Sequence, residues 1–242
     1  MNVSRRPKQR VAIIGDSTSF WIRPNSTQAQ TYPEILRGRN SLMVELYLRP
    51  GNTFPMAVKD FFFKIAPKRY DLYIIALGIN DICPRTVTAN FARHQSPSFP
   101  ANSWFEQARK FTYRSLTNNI VQRNLARLRI SRPWSYLPEI NSLISYIENT
   151  IFKEKNSKII YLTIPKTSDR VEFVFPDIQD SIKKFNAMLI TNSKSKKNVD
   201  VLDIYQLFYE NELVFVPEGI HFSKVGHELI ASKLLTMMEV NT

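Results

Sequence analysis

The sequence predicts an α/β fold, a doubly wound parallel sheet of five strands, and three observations carry that reading. Short apolar runs of strand length alternate with longer stretches of helical spacing, the order that builds parallel sheets with right-handed crossovers. The run Tyr70–Leu77 is nearly unbroken in its apolar character, as a strand covered on both faces must be. The chain of 242 residues, with 43% hydrophobic and 12% aromatic side chains, can bury one full core within one domain spanning 1–242.

The elements follow in order. Val11–Ile14 is a buried strand that meets a sharp bend at Gly15-Asp16-Ser17. Thr31–Arg39 reads as a short helix, and Leu42–Leu48 as a second strand stopped by Arg49-Pro50-Gly51-Asn52. Thr53 is placed to cap a helix with apolar positions Met56, Phe61, Phe62 and Ile65, ended by Pro67. The third strand, Tyr70–Leu77, exits into Gly78-Ile79-Asn80-Asp81. The alternation then breaks for a mainly helical insertion at about 82–136. Within it Trp104–Ile130 carries apolar residues near one-turn spacing until Arg132-Pro133. Regular order resumes with a helix at Leu137–Glu154, a strand at Lys158–Ile164, a helix at Asp177–Ser193 and a strand at Val199–Ile204. A last helix runs from Lys224 to Glu239, with Ser223 as its N-cap.

Ligands of open α/β sheets bind beyond the carboxyl ends of the strands, so the strand exits are where chemistry is sought. Gly-Asp-Ser alone is ordinary turn chemistry. A serine hydroxyl becomes a nucleophile only when a histidine takes its proton and a carboxylate holds that histidine in the required tautomer. Of three histidines, His221 follows the last strand, which returns it to the edge that carries Ser17, and Glu218 precedes it by three residues. Oxyanion donors, each worth roughly 3 kcal/mol, are available at the other exits: the backbone N–H of Gly51 and the side-chain amide of Asn80. Asp16, Asp81 and Asp203 read as structural acceptors of nearby backbone amides. His227 reads as a packing or hydrogen-bonding residue, Cys83 as an inert thiol, and His94, alone on a loop, as a candidate substrate contact.

Gly15-Asp16-Ser17, Gly51, Gly78-Ile79-Asn80-Asp81 and Glu218-Gly-Ile-His221 together resemble the four blocks of the SGNH hydrolases, also called GDSL esterases and lipases. The blocks come in the family's order and span almost the whole chain. The Gly-Ile-His-Phe-Ser-x-x-Gly-His run at 219–227 is especially similar. The resemblance implies a flavodoxin-like three-layer α/β/α sandwich. It also implies Ser17 as nucleophile, His221 as base, and an oxyanion hole from the Ser17 N–H, the Gly51 N–H and the Asn80 amide. Two features depart from the family: Glu218 stands where Asp is usual, an exchange other serine triads tolerate, and the insertion is long.

The net charge is +12, and the insertion concentrates it, with nine Arg or Lys against Glu106 alone. One reading is a solvated helix face. The other is a wall beside the active site that favours an anionic ester, with Arg123, Arg127 and His94 as substrate contacts and Arg129 beside them. One cysteine excludes an intrachain disulfide framework and a cysteine metal cluster. Neither a metal nor an organic cofactor is needed. The apolar run after the basic N-terminus is too short for a signal peptide and no later run reaches membrane-span length, so the expected location is cytoplasmic.

The function expected is therefore a serine esterase that deacylates a carbohydrate or similar small ester, an O-acetyl ester among them. An acyltransferase using the same serine on a sugar hydroxyl is the enzymatic alternative. A non-catalytic protein gripping an anionic polymer is the other, although no motif resembles a nucleic-acid-binding one.

Overall fold

The computed structural model describes residues 8–20, 30–85, 111–112, 115–116, 118–128, 131–153, 157–209, 212–215 and 219–239. Five strands form one parallel sheet: β1 (Gln9–Gly15), β2 (Leu42–Leu48), β3 (Leu72–Ala76), β4 (Lys158–Leu162) and β5 (Val199–Leu202). Their spatial order is β2-β1-β3-β4-β5, the flavodoxin-like order whose topological switch point lies between β1 and β3. Helices cover both faces, giving three layers.

Period-two alternation divides the apolar residues between the faces. Ala12 and Ile14 of β1, Tyr73 and Ile75 of β3, and Ile159 and Tyr161 of β4 join one core. Packed on it are α2 (Phe54–Asp60), α5 (Leu137–Ile151) and α7 (Ile178–Ser193), through residues such as Phe54, Ile144, Ile147, Ile182 and Phe185. The intervening residues Val11, Ile13, Leu72, Ile74, Ile160 and Leu162 face the other core. That side is closed by α1 (Tyr32–Arg37) and α9 (Lys224–Glu239), through Leu36, Ile230 and Leu234.

Several elements differ from the sequence expectation. α2 does not run regularly to Ile65; it passes into a π-turn at Phe61–Ile65 and a 3₁₀ turn at Ala66–Lys68, which place Phe61 and Ile65 in the core. Thr53 makes no side-chain cap. The buried Asp81 carboxyl takes the Phe54 N–H instead, at 3.1 and 3.2 Å to its two oxygens, and so satisfies a donor that the helix start leaves unpaired. β5 ends at Leu202, because Asp203 accepts the Gln206 N–H and opens the short helix α8 (Ile204–Leu207). A further short helix, α6 (Asp169–Val174), follows β4 where none was expected. Of the insertion's expected helix, α4 (Asn119–Arg127) is described and packs against α6, while 101–110 lie outside the described residues. The four-residue α3 (Ile79–Ile82) starts directly after β3. At the other end Ser223 caps α9, its hydroxyl accepting the Gly226 N–H at 3.2 Å.

Two positions make this frame testable. Gly78 links β3 to α3 at φ +124°, and a Cβ there would lie 2.5 Å from Cζ of Phe185, a fully buried ring that cannot swing aside. Gly78→Ala is expected to cost about 3 kcal/mol, from backbone strain and overpacking. Denaturant titration measures this, and Phe185→Leu in the same chain should recover part of the loss. Asp81 is the second. Burial pushes its carboxyl from 3.8 up to about 7, against the pull of the Ser135 hydroxyl and the Phe54 N–H. Between those values the folded protein keeps a proton that the unfolded chain has released, so stability falls as pH rises through that window. Glu45, lowered from 4.5 by Lys68, has the opposite sign, but its window lies below 4.5. Asp16, raised by burial to about 6, has the same sign as Asp81, so the melting temperature should drop from pH 5 to pH 8, and Asp81→Asn should reduce that slope, most of all above pH 6.

Candidate active site

Three strand exits are bound to one another at the switch point by buried polar groups. After β1, Asp16 takes the Thr18 N–H and hydroxyl on Oδ1, at 2.8 and 2.7 Å, which shapes the 3₁₀ turn Ser17–Ser19. Its Oδ2 accepts from the Asn80 amide, beyond β3, at 2.9 Å. The same Asn80 nitrogen donates to the Asn52 carbonyl, beyond β2, at 3.2 Å, and the Asn52 amide donates back to the Gly15 carbonyl at 3.2 Å. Burial raises the Asp16 carboxyl to about 6, even though Thr18, Asn80 and the Arg85 charge all pull it down. Asp16 is therefore an anchor of the serine turn, consistent with the structural role read from sequence.

The fourth exit delivers the histidine. His221 Nε2 lies 3.0 Å from Ser17 Oγ, although 204 residues separate them in the chain. The loop carrying it is tied down on both sides: the Ser168 N–H donates to the Gly219 carbonyl at 3.3 Å, and the Ser223 N–H to the Val214 carbonyl at 2.8 Å. Phe222 anchors the loop in the core against Phe208, Phe215 and His227. His227 is fully buried, and its Nδ1 accepts the Tyr32 N–H at 3.2 Å, a packing role.

Gly51 has φ +66°, a conformation L side chains rarely adopt, and nothing lies within 4 Å of where its Cβ would be. No described group accepts the N–H of Gly51 or of Ser17. Asn80 is 8% exposed, and in the resting protein both its amide hydrogens already have acceptors. A small cavity of about 30 Å³, bordered by Asp16, Thr18, Ile220 and Phe222 next to Ser17 and His221 in the chain, is walled mainly by apolar groups, among them Leu77, Leu162 and Ile204.

The remaining candidates are dispersed. Glu218, His94 and Arg129 lie outside the described residues. Arg123 is stacked on the Phe173 ring, 3.6 Å from its centroid, which joins α4 to α6, and Arg127 is exposed on α4. Cys83 is buried, and burial raises its thiol. Asn52 escaped the sequence reading, since its turn setting was its only signal. Among the described residues no group of three or more His, Cys, Asp or Glu is arranged to hold a metal, and no helix is long and apolar enough to cross a membrane.

Comparison with known proteins places this arrangement. The model of the GDSL-like lipase/acylhydrolase family matches residues 13–229. No curated protein matches. Among solved structures, the lipase/acylhydrolase from Enterococcus faecalis is 15% identical, with a TM-score of 0.58 over 96% of each chain. The G-D-S-L family lipolytic protein from Veillonella parvula is 13% identical, with a TM-score of 0.57 over 94% of this chain and 96% of that one. Axe2, an acetylxylan esterase from Geobacillus stearothermophilus, is 14% identical, with a TM-score of 0.57 over 95% of this chain and 94% of that one. These likenesses are to the fold. The family match covers most of the chain, including Ser17, Gly51, Asn80 and His221, and the chain belongs to the GDSL-like lipase/acylhydrolase family of serine hydrolases.

Proposed function

We propose that the protein is a serine esterase that hydrolyses a short O-acyl ester, most simply an O-acetyl ester of a carbohydrate, through an acyl-enzyme. The observation that carries this reading is the 3.0 Å contact between Ser17 Oγ and His221 Nε2 at the carboxyl edge of the sheet.

In that reading Ser17 Oγ attacks the ester carbonyl as its proton passes to His221 Nε2. Nε2 accepts only if the imidazole proton sits on Nδ1, and Glu218 is the carboxylate assigned to hold it there. The carbonyl oxygen becomes an oxyanion, met by the N–H groups of Ser17 and Gly51. Asn80 joins them by sharing the N–H now on the Asn52 carbonyl with the new charge, because an anionic oxygen outcompetes a neutral carbonyl. Its other N–H stays on Asp16, so the amide keeps its orientation. Collapse breaks the ester C–O bond, and His221 returns the proton to the leaving alkoxide. Water, deprotonated by the same imidazole, then attacks the acyl-serine; the acyl C–Oγ bond breaks, the carboxylic acid leaves, and Ser17 recovers its proton from the imidazolium. None of these steps calls for a metal or organic cofactor. The small apolar cavity beside the serine turn favours an acetyl-sized acyl group over a long chain, and the likeness to Axe2 supports a sugar ester.

A fluorophosphonate probe tests the nucleophile. Intact mass should show one adduct on the wild type and none on Ser17→Ala; equal labelling of both would sink the assignment. His221→Gln should lower kcat/KM for an aryl acetate by about 10³-fold or more, and Glu218→Gln by about tenfold or more.

A further inference from the structure

Arg85 holds a position that neither the fold nor the proposed chemistry uses. It sits five residues after Asn80, where the insertion leaves the sheet edge. Its backbone is fastened by paired hydrogen bonds with Arg132, at 2.9 and 3.1 Å. The guanidinium lies near two aromatic rings, 5.2 Å from the Trp134 centroid and 5.9 Å from that of Phe175. Trp134 is brought there because its N–H donates to the Asp81 carbonyl at 2.9 Å. Phe175 follows α6 directly. The cation thus lies near segments leaving β3 and β4, on the flank of the site that holds Asn80.

Its polar contacts leave it under-used. One terminal nitrogen donates to Asn80 Oδ1, at 3.3 Å, and Nε is buried with no acceptor. No described carboxylate pairs with it. Glu148, by contrast, is buried and paired to Lys196. Asp16 lies on the far side of the Asn80 amide, and its oxygens are taken by Thr18 and Asn80. A half-buried guanidinium has five N–H donors in a planar fork, and one weak bond to a neutral amide satisfies few of them. The two rings limit where the cation can sit, and its terminal N–H groups have only the Asn80 bond. Arg123, stacked on Phe173 as a brace between α4 and α6, and Arg127, exposed on α4, show no such link to the catalytic groups.

We propose that Arg85, close to the Trp134 and Phe175 rings and bonded to Asn80, is an anion-binding subsite that takes a carboxylate or phosphate group on the alcohol portion of the ester substrate. The proposal rests on the esterase reading for the identity of the reacting group, and on the geometry of Arg85 for the anion. Hydrogen bonds run from Arg85 to Asn80 Oδ1 and from Asn80 Nδ2 to Asp16, so an anion seated on the guanidinium lies one side chain from the serine turn. One bound molecule then spans both sites.

The test uses the full chain and three acetylated methyl glycosides: neutral, with a uronate carboxylate, and with a sugar phosphate. Arg85→Gln should reduce kcat/KM for one or both anionic esters at least tenfold more than for the neutral one, and the ester with the larger loss identifies the anion. An equal loss on all three overturns the proposal, leaving Arg85 as a positioning group for Asn80. Arg85→Lys, which keeps the charge and loses the fork, should fall between wild type and Gln; it also serves if Arg85→Gln does not fold. A binding readout separates this from the esterase reading: inorganic phosphate and acetate titrations followed by tryptophan fluorescence. Saturable binding weakened at least tenfold in Arg85→Gln upholds the subsite even if the fluorophosphonate probe fails to label Ser17. Equal binding in both proteins, or none in the wild type, removes it.

Discussion

The sheet edge that carries Ser17 and His221 depends on one buried polar junction, the Asn80 amide between Asp16 and the Asn52 carbonyl. Parallel strands end with backbone groups that need partners and with loops that diverge. At the switch point between β1 and β3 the chain must stop that divergence without placing unpaired polar atoms in the core. Asn80 does so with a group that donates twice and accepts once. It joins three exits, and the serine turn inherits its position from them. The cost is a buried carboxylate on Asp16, whose proton affinity burial raises.

A second carboxylate extends the same logic into the core. Asp81 accepts from the Phe54 N–H and the Ser135 hydroxyl, and its carbonyl takes the N–H groups of Trp134 and Ser135. One residue beyond β3 therefore fixes the start of α2 and the return of the insertion to the main fold. Trp134 reaches Arg85 for that reason. The wall beside the proposed active site grows from the framework that orients Asn80.

The histidine side is built differently. Asn186 receives the Ile164 N–H and donates to the Ile164 carbonyl, at 2.9 and 2.7 Å, while Gln179 holds Thr167. These α7 side chains position the segment after β4 that carries Ser168, whose N–H meets the Gly219 carbonyl. Phe222 and His227 close the loop from the other core. Ser17 and His221 meet because two cores, on opposite faces of the sheet, each hold one side of the histidine loop.

The strands, their alternation and the exits at which Ser17, Gly51, Asn80 and His221 stand were legible in local pattern. Hydrophobic periodicity is local, and a turn residue after an apolar run is visible in a few adjacent positions. That pattern does not settle what caps α2 or where β5 ends. There a buried acceptor 27 residues away, Asp81, and a helix-opening Asp203 outweighed local pattern. That Asn80 spans Asp16 and Asn52, and that Arg85 differs from Arg123 and Arg127, emerges only in the folded chain. Nine basic residues look alike in a charge count. What separates them is which rings, amides and carboxylates the folded chain brings within a few ångströms, and those partners come from distant elements.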